Sequence, residues 1–135
     1  MATFTKINAF VEAMAEKKHN LGSDTLKVAL TNTAHTSTWS QLSELTEISY
    51  ANCSARTITI TSSTQTSGTY KLVLADLTLT ASGTVGPFRY VYIYNDTATN
   101  DDLIGYYDYG AALTLVSGYS FTIDFDATTG VITLA

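Results

Sequence analysis

Leu21-Gly22-Ser23-Asp24-Thr25-Leu26-Lys27-Val28-Ala29-Leu30-Thr31 is the stretch whose reading decides the fold. Before it the apolar residues follow a helical period, and after it they follow a period of two. Upstream, Phe4, Ile7, Phe10, Val11 and Met14 recur at three- and four-residue spacing and make one apolar stripe. Ala9, Ala13 and Ala15 are good helix formers. Thr3 or Thr5 can cap the start, and Lys17, Lys18 and His19 stand where a helix dipole favours cations. Asn20 and Gly22 supply a left-handed stop. The pattern predicts a single helix over residues 3–19. Downstream, Leu26, Val28 and Leu30 alternate with Thr25, Lys27, Ala29 and Thr31, the mark of a half-buried strand.

Further along, residues 32–44 are polar, with Trp39 as an anchor and a helical turn expected at 40–44, and a short strand is expected at 45–50. Thr57-Ile58-Thr59-Ile60-Thr61 alternates strictly, and Tyr70, Leu72 and Leu74 share one face. A bend at Ala75-Asp76 precedes Leu77 and Leu79. In 88–94, Phe88, Tyr90, Tyr92 and Tyr94 occupy one face and Val91 and Ile93 the other, so this strand is expected to be covered on both sides. Strands at 103–109, 113–116, 119–125 and 131–134 complete the set. Turn signals separate them at Ser82-Gly83, Gly86-Pro87, Asn95-Asp96, Asn100-Asp101-Asp102, Gly110, Ser117-Gly118 and Thr129-Gly130. Pro87 is placed just before a strand, where a missing N–H costs no ladder bond. Short strands at this spacing predict a mainly-β fold, an antiparallel two-sheet β-sandwich of jelly-roll-like form with one N-terminal α-helix. The whole chain, 1–135, reads as one domain, with the β body over 24–135.

Composition narrows the function. The 135 residues are 45% hydrophobic and only 14% charged, against roughly 25% charged in an average soluble domain. Twenty-four threonines supply the polar surface instead, and β-branched threonine favours a pleated exterior. The net charge is −5 and the seven basic residues are scattered except for Lys17-Lys18. Phosphate recognition needs clustered Lys and Arg, so nucleic acid and anionic membrane are not expected as partners. No run approaches the 18 apolar residues of a membrane span. The first twenty residues carry Lys6, Glu12 and Glu16 and do not read as a signal peptide. The single cysteine, Cys53, cannot form an internal disulfide.

Catalytic patterns are missing. A nucleophile needs a base beside it, yet His19 and His35 are the only histidines and no Gly-x-Ser-x-Gly elbow accompanies them. Zinc spacings and an EF-hand loop are not present. Asp96, Asp101 and Asp102 share a loop, and Asp108, Asp124 and Asp126 are carboxylates without a pattern that would place them across a cleft. The reading is a non-enzyme with no cofactor and no metal. The aromatic residues are more suggestive, because tyrosine buries area while keeping a polar tip. Trp39, Tyr106, Tyr107 and Tyr109 are the expected docking residues, together with Phe4 and Phe10 of the helical stripe.

Three groups of residues carry a family resemblance: Phe10-Val11-Glu12 with His19-Asn20-Leu21-Gly22-Ser23-Asp24 through Asn32; Ser67-Gly68-Thr69-Tyr70-Lys71-Leu72 with Gly86-Pro87-Phe88-Arg89-Tyr90-Val91; and Leu103-Ile104-Gly105, Asp108-Tyr109-Gly110 and Phe121-Thr122-Ile123-Asp124-Phe125-Asp126. Together they resemble a family of small virion structural proteins of tailed bacteriophages and prophages. The resemblance implies a capsid decoration, or cement, protein. Its partners would be the major capsid protein or other virion proteins, and its location the virion, after synthesis in the host cytoplasm. Many-copy protein–protein contacts and a closed homo-oligomer such as a trimer go with that setting. The alternatives are a phage tail or baseplate component and a receptor- or carbohydrate-binding module.

Overall fold

A computed structural model describes residues 2–135. The chain enters through a short strand, β1 (Phe4–Lys6), and the helix α1 (Asn8–Ala15) follows. The expected helix over 3–19 is therefore shorter at both ends. At its start, Phe4, Thr5 and Lys6 pair with Tyr107, Tyr106 and Gly105, and the Ile7 N–H donates to the Ile104 carbonyl at 3.0 Å. Those backbone groups belong to a sheet ladder, so neither Thr3 nor Thr5 caps a helix, and Ile7 holds the N-cap position without a side-chain cap. At the other end the left-handed stop is Lys17, with φ 67°, and not Gly22. With Phe4 drawn into a strand, the buried stripe becomes Ile7, Phe10 and Ala13, and Val11 turns outward at 55% exposure.

Nine further strands follow: β2 (Leu26–Thr31), β3 (Thr57–Ile58), β4 (Ile60–Thr66), β5 (Thr69–Leu74), β6 (Leu77–Thr80), β7 (Val85–Asn95), β8 (Leu103–Leu115), β9 (Ser120–Ile123) and β10 (Ile132–Leu134). Every pairing between them is antiparallel. The order is β1-β8-β7-β2-β3 in a five-stranded sheet, β10-β5-β4 in a second sheet and β6-β9 in a third. The fold is mainly β with one α-helix, layered as a sandwich. The paired strands that are consecutive in the chain are β2–β3, β4–β5 and β7–β8, and β3 and β4, separated only by Thr59, belong to different sheets; the order does not of itself make a jelly roll.

Several local expectations change for backbone reasons. Residues 45–50 form no strand; the Ile48 N–H donates to the Leu30 carbonyl at 3.0 Å, beside an isolated bridge between Thr31 and Glu47. Gly110 does not end a strand. Phe88 pairs with Leu113 while Tyr90 pairs with Asp108, so the extra residues of β8 bulge around Gly110, whose φ is 82°. Pro87 lies inside β7 where Val85 pairs with Leu115 and Phe88 with Leu113, and the bulge there spares it a ladder bond. The bend at Ala75-Asp76 does separate β5 from β6, which belong to different sheets.

Register assigns the faces of the large sheet. Leu26, Val28 and Leu30 stand opposite Asn95, Ile93 and Val91, and Tyr107 stands opposite Val91, so these share the inner face. There they join Leu72, Leu74, Leu79, Ile123, Phe125 and Ile132 in one hydrophobic core. Phe88 meets Phe121 and Tyr107 meets Phe125 at centroid distances of 5.5 and 6.1 Å. The outer face carries Ala29, Tyr92 and Tyr106. No helix among the described residues is long and apolar enough to cross a membrane.

Candidate docking surface

The outer face of the β7–β8 hairpin is covered by the loop after β2. Tyr92 and Tyr106 are cross-strand partners and stack at 5.2 Å. His35 stacks on Tyr106 at 4.3 Å, and Trp39 stands edge-on to His35 at 5.7 Å. A turn closed by the Trp39 N–H on the Thr36 carbonyl holds the loop, and a 2.8 Å hydrogen bond joins His35 Nδ1 to the Tyr92 hydroxyl. Tyr92 is fully buried, while His35, Trp39 and Tyr106 are half-buried and present the outer side of the stack. Burial lowers the His35 pKa, so the surface is uncharged at neutral pH. Such a surface suits association, since aromatic anchors contribute most and no charge is desolvated.

The other expected docking residues lie elsewhere. Phe4, Tyr107 and Tyr109 do come together, but on the inner side. Tyr107 packs edge-on to Phe4 at 5.6 Å and lies 6.2 Å from Tyr109, which meets Phe121 at 5.1 Å. Tyr107 is only 4% exposed. Burial pushes its phenol well above the usual range and that of Tyr109 up to about 12. Phe10 is 1% exposed and lies 5.2 Å from the ring of His19. Phe10 and Tyr107 are therefore core residues, Phe4 and Tyr109 are half-buried on the inner side, and Trp39 and Tyr106 share the half-buried surface of the outer face. Sequence reasoning missed His35 and Tyr92 as their companions. A His four residues before the only Trp was the available signal.

Two of the carboxylates considered for chemistry, Asp108 and Asp126, are engaged structurally. Asp108 binds Arg89 through two oxygens, at 2.8 and 3.1 Å, and also accepts the Gly110 N–H. The Arg89 contact holds its pKa low. Asp126 accepts from the Thr129 hydroxyl and from the N–H groups of Thr128 and Thr129, which lower its pKa as well. A general acid at neutral pH needs the opposite shift. No group of three or more His, Cys, Asp or Glu side chains converges on a metal position among the described residues. Cys53 is half-buried and its thiol pKa is raised by burial.

Comparison of the chain with protein-family models, with curated proteins and with solved structures returned no match.

Proposed function

We propose that this chain is a non-enzymatic virion structural protein of a tailed bacteriophage. It works as one domain, decorating or cementing the capsid through many-copy contacts with the major capsid protein or another virion protein. The observation that carries this reading is the uncharged His35–Trp39–Tyr106 surface, laid on the β7–β8 hairpin in a chain with few charges. Contacts of this kind are modest singly and gain from repetition, which a closed homo-oligomer such as a trimer supplies. The stretches quoted for the resemblance hold turns and bulges of this chain's own scaffold. Ser67-Gly68 turns the β4–β5 hairpin, Gly86-Pro87 sits in the bulge of β7, and Asp108 caps Gly110 in the bulge of β8.

The test is quantitative mass spectrometry of purified particles, followed by loading of variants onto particles lacking the protein. Trp39→Ala and Tyr106→Ala are expected to lower occupancy at least tenfold while circular dichroism stays that of the folded chain. Absence from particles, or wild-type loading by both variants, overturns the reading. The same aromatic surface suits the flat face of a sugar ring. Glycan binding lost in Trp39→Ala, in a protein that does not load onto particles, would establish a carbohydrate-binding module instead. Density on the tail rather than the capsid would make it a tail or baseplate component.

A further inference from the structure

Asn95 ends β7 and is fully buried, and its side chain pins the start of the turn that leads to β8. Its Oδ1 accepts the N–H groups of Thr97 and Ala98 at 2.9 and 3.2 Å, so the amide orientation is set. Nδ2 therefore points the other way and donates to Asp24 Oδ2 at 2.7 Å and to His19 Nδ1 at 2.9 Å. The same turn holds the segment that follows Trp39. The Asp101 N–H donates to the Ala98 carbonyl at 3.1 Å, and the Asp101 carbonyl accepts the Leu42 N–H at 3.1 Å. A separate tie, the Asp96 N–H on the Thr25 carbonyl at 2.9 Å, does not involve the amide.

Asn95 also fixes where the His19 proton sits. An amide NH2 only donates, so Nδ1 is the acceptor and the neutral ring carries its proton on Nε2. That Nε2 is buried without a partner, so the Asn95 amide is the ring's one hydrogen-bond contact among the described residues. The ring is 7% exposed and packs on Phe10 of α1 at 5.2 Å. The charges that face it are Lys18 and Asp24, from the segment between α1 and β2, and Asp102, just before β8. Burial lowers the pKa of the ring below the ordinary 6.5, while Asp102 and Asp24 oppose that shift and Lys18 adds to it. The ring is thus neutral at neutral pH, with two carboxylates near it to favour a positive charge on acidification.

A proton taken up by this ring goes to Nδ1, the only nitrogen with a free lone pair. The new N–H then faces the Nδ2 hydrogens of Asn95, two donors at a 2.9 Å contact. Turning the amide over brings Oδ1 to the ring, but it also sets Nδ2 against the N–H groups of Thr97 and Ala98. No orientation of the amide satisfies the charged ring and the turn together. We propose that His19 and Asn95 form an acid-sensitive latch: proton uptake at His19 Nδ1 turns the Asn95 amide, releases the N–H groups of Thr97 and Ala98, and loosens the hold of this turn on Leu42, just beyond Trp39. A buried histidine with two incompatible hydrogen-bond arrangements is a physical basis for a pH switch. The latch belongs to the free chain and does not rest on what docks at the aromatic surface.

The full-length chain is followed from pH 8 to pH 4.5 by long-range proton–nitrogen correlation of its imidazoles and by amide hydrogen exchange, expressed as protection factors. At pH 8 the His19 ring is expected as the Nε2–H tautomer. On acidification, protection at Thr97, Ala98 and Leu42 should fall at least tenfold with the midpoint of the His19 ring, while Val91 and Ile93 in β7 keep theirs. His19→Asn cannot titrate and should make protection at Thr97, Ala98 and Leu42 independent of pH over this range. If that variant does not fold, the match of midpoints in the natural chain decides alone. An Nδ1–H tautomer at pH 8, unchanged protection at Thr97 and Ala98 down to pH 4.5, or a loss shared by Val91 and Ile93 overturns the proposal. A loss that persists in His19→Asn assigns the effect to Asp96 or Asp101 and overturns it as well. A loss at Thr97 and Ala98 with Leu42 still protected overturns its reach toward Trp39.

Discussion

Asn95 closes the end of β7 and is fully buried. Asn95→Ala removes four hydrogen bonds at once. The bond to the Asp24 carboxylate is charge-assisted and contributes about 1.5–3 kcal/mol. The bonds received from Thr97 and Ala98 are backbone N–H groups near solvent, which regain water and contribute less than about 1 kcal/mol each. His19 Nδ1 loses its donor in a buried position, a further cost of about 1–3 kcal/mol. The expected loss is ~3–8 kcal/mol, a large part of the roughly 5–15 kcal/mol that holds a typical domain together. With a urea slope of about 1–3 kcal/mol/M, the unfolding midpoint should drop by about 2 M. Thr97→Ala serves as control. It removes only the exposed hydroxyl that accepts the Thr25 N–H at 2.9 Å, and should shift the midpoint little. Asn95→Asp keeps the loop bonds but sets a second carboxylate against Asp24, and at pH 8 it should be as damaging as the alanine. A drop below about 0.5 M for Asn95→Ala, with an unchanged slope, would show that the network does not hold this end of the sheet.

Other perturbations follow from the same geometry. Burial lowers the pKa of His19 below its ordinary 6.5, so the unfolded chain takes up a proton that the folded chain refuses. Stability should be full above pH 6.5 and fall as the pH drops from there toward the folded pKa. His35, shifted the same way by burial, adds to this slope, and denaturation midpoints of His19→Asn, His35→Asn and the double variant between pH 5 and 8 should show it shrinking stepwise to flat. Gly105→Ala would put a Cβ 2.1 Å from Phe4 Cζ and 2.8 Å from the Thr5 carbonyl oxygen. It should cost about 1–3 kcal/mol and strip hydrogen-exchange protection from residues 4–6 while β7 keeps its own. Tyr107→Ala truncates a core side chain and should cost about 3–5 kcal/mol, whereas Tyr106→Ala, at a half-buried position, should cost less than half as much in the same denaturation assay.

The body of the fold was legible because its strands alternate and its turns are chemically marked. The change of period in the segment around Gly22 separates a helix from β2 in the structure as in the sequence. The ends of the helix were not legible. A stripe at three- and four-residue spacing describes Phe4 equally well in a helix or beside one. What draws Phe4 into β1 is the free edge of β8, a hundred residues away, with a side-chain-free position at Gly105 to receive its ring. The Gly110 bulge was hidden for a related reason. Glycine with positive φ marks a turn or a bulge alike, and only the pairing of β8 with β7 on both sides of it decides.

Adjacent tyrosines show where reading a docking surface from sequence succeeds and where it stops. In a strand, successive side chains point to opposite faces, so Tyr106 and Tyr107 could never have served one surface together. The period of two divides Tyr106 from the pair Tyr107 and Tyr109 without any structure. It does not say which face is the core, since both faces of β7 and β8 carry aromatic residues. That is settled by what arrives to cover each face. Phe121 and Phe125 come from the segment after β8 and close over Tyr107 and Tyr109. A nine-residue loop from the other end of the chain brings only His35 and Trp39 over Tyr106. On the side closed by a sheet Tyr107 becomes interior and Tyr109 stays half-buried, and on the side closed by a short polar loop Tyr92 is buried while His35, Trp39 and Tyr106 keep aromatic area at the surface. Docking area on such a hairpin is thus set by how incompletely one face is covered, and the residues that decide it lie far from the tyrosines in the chain.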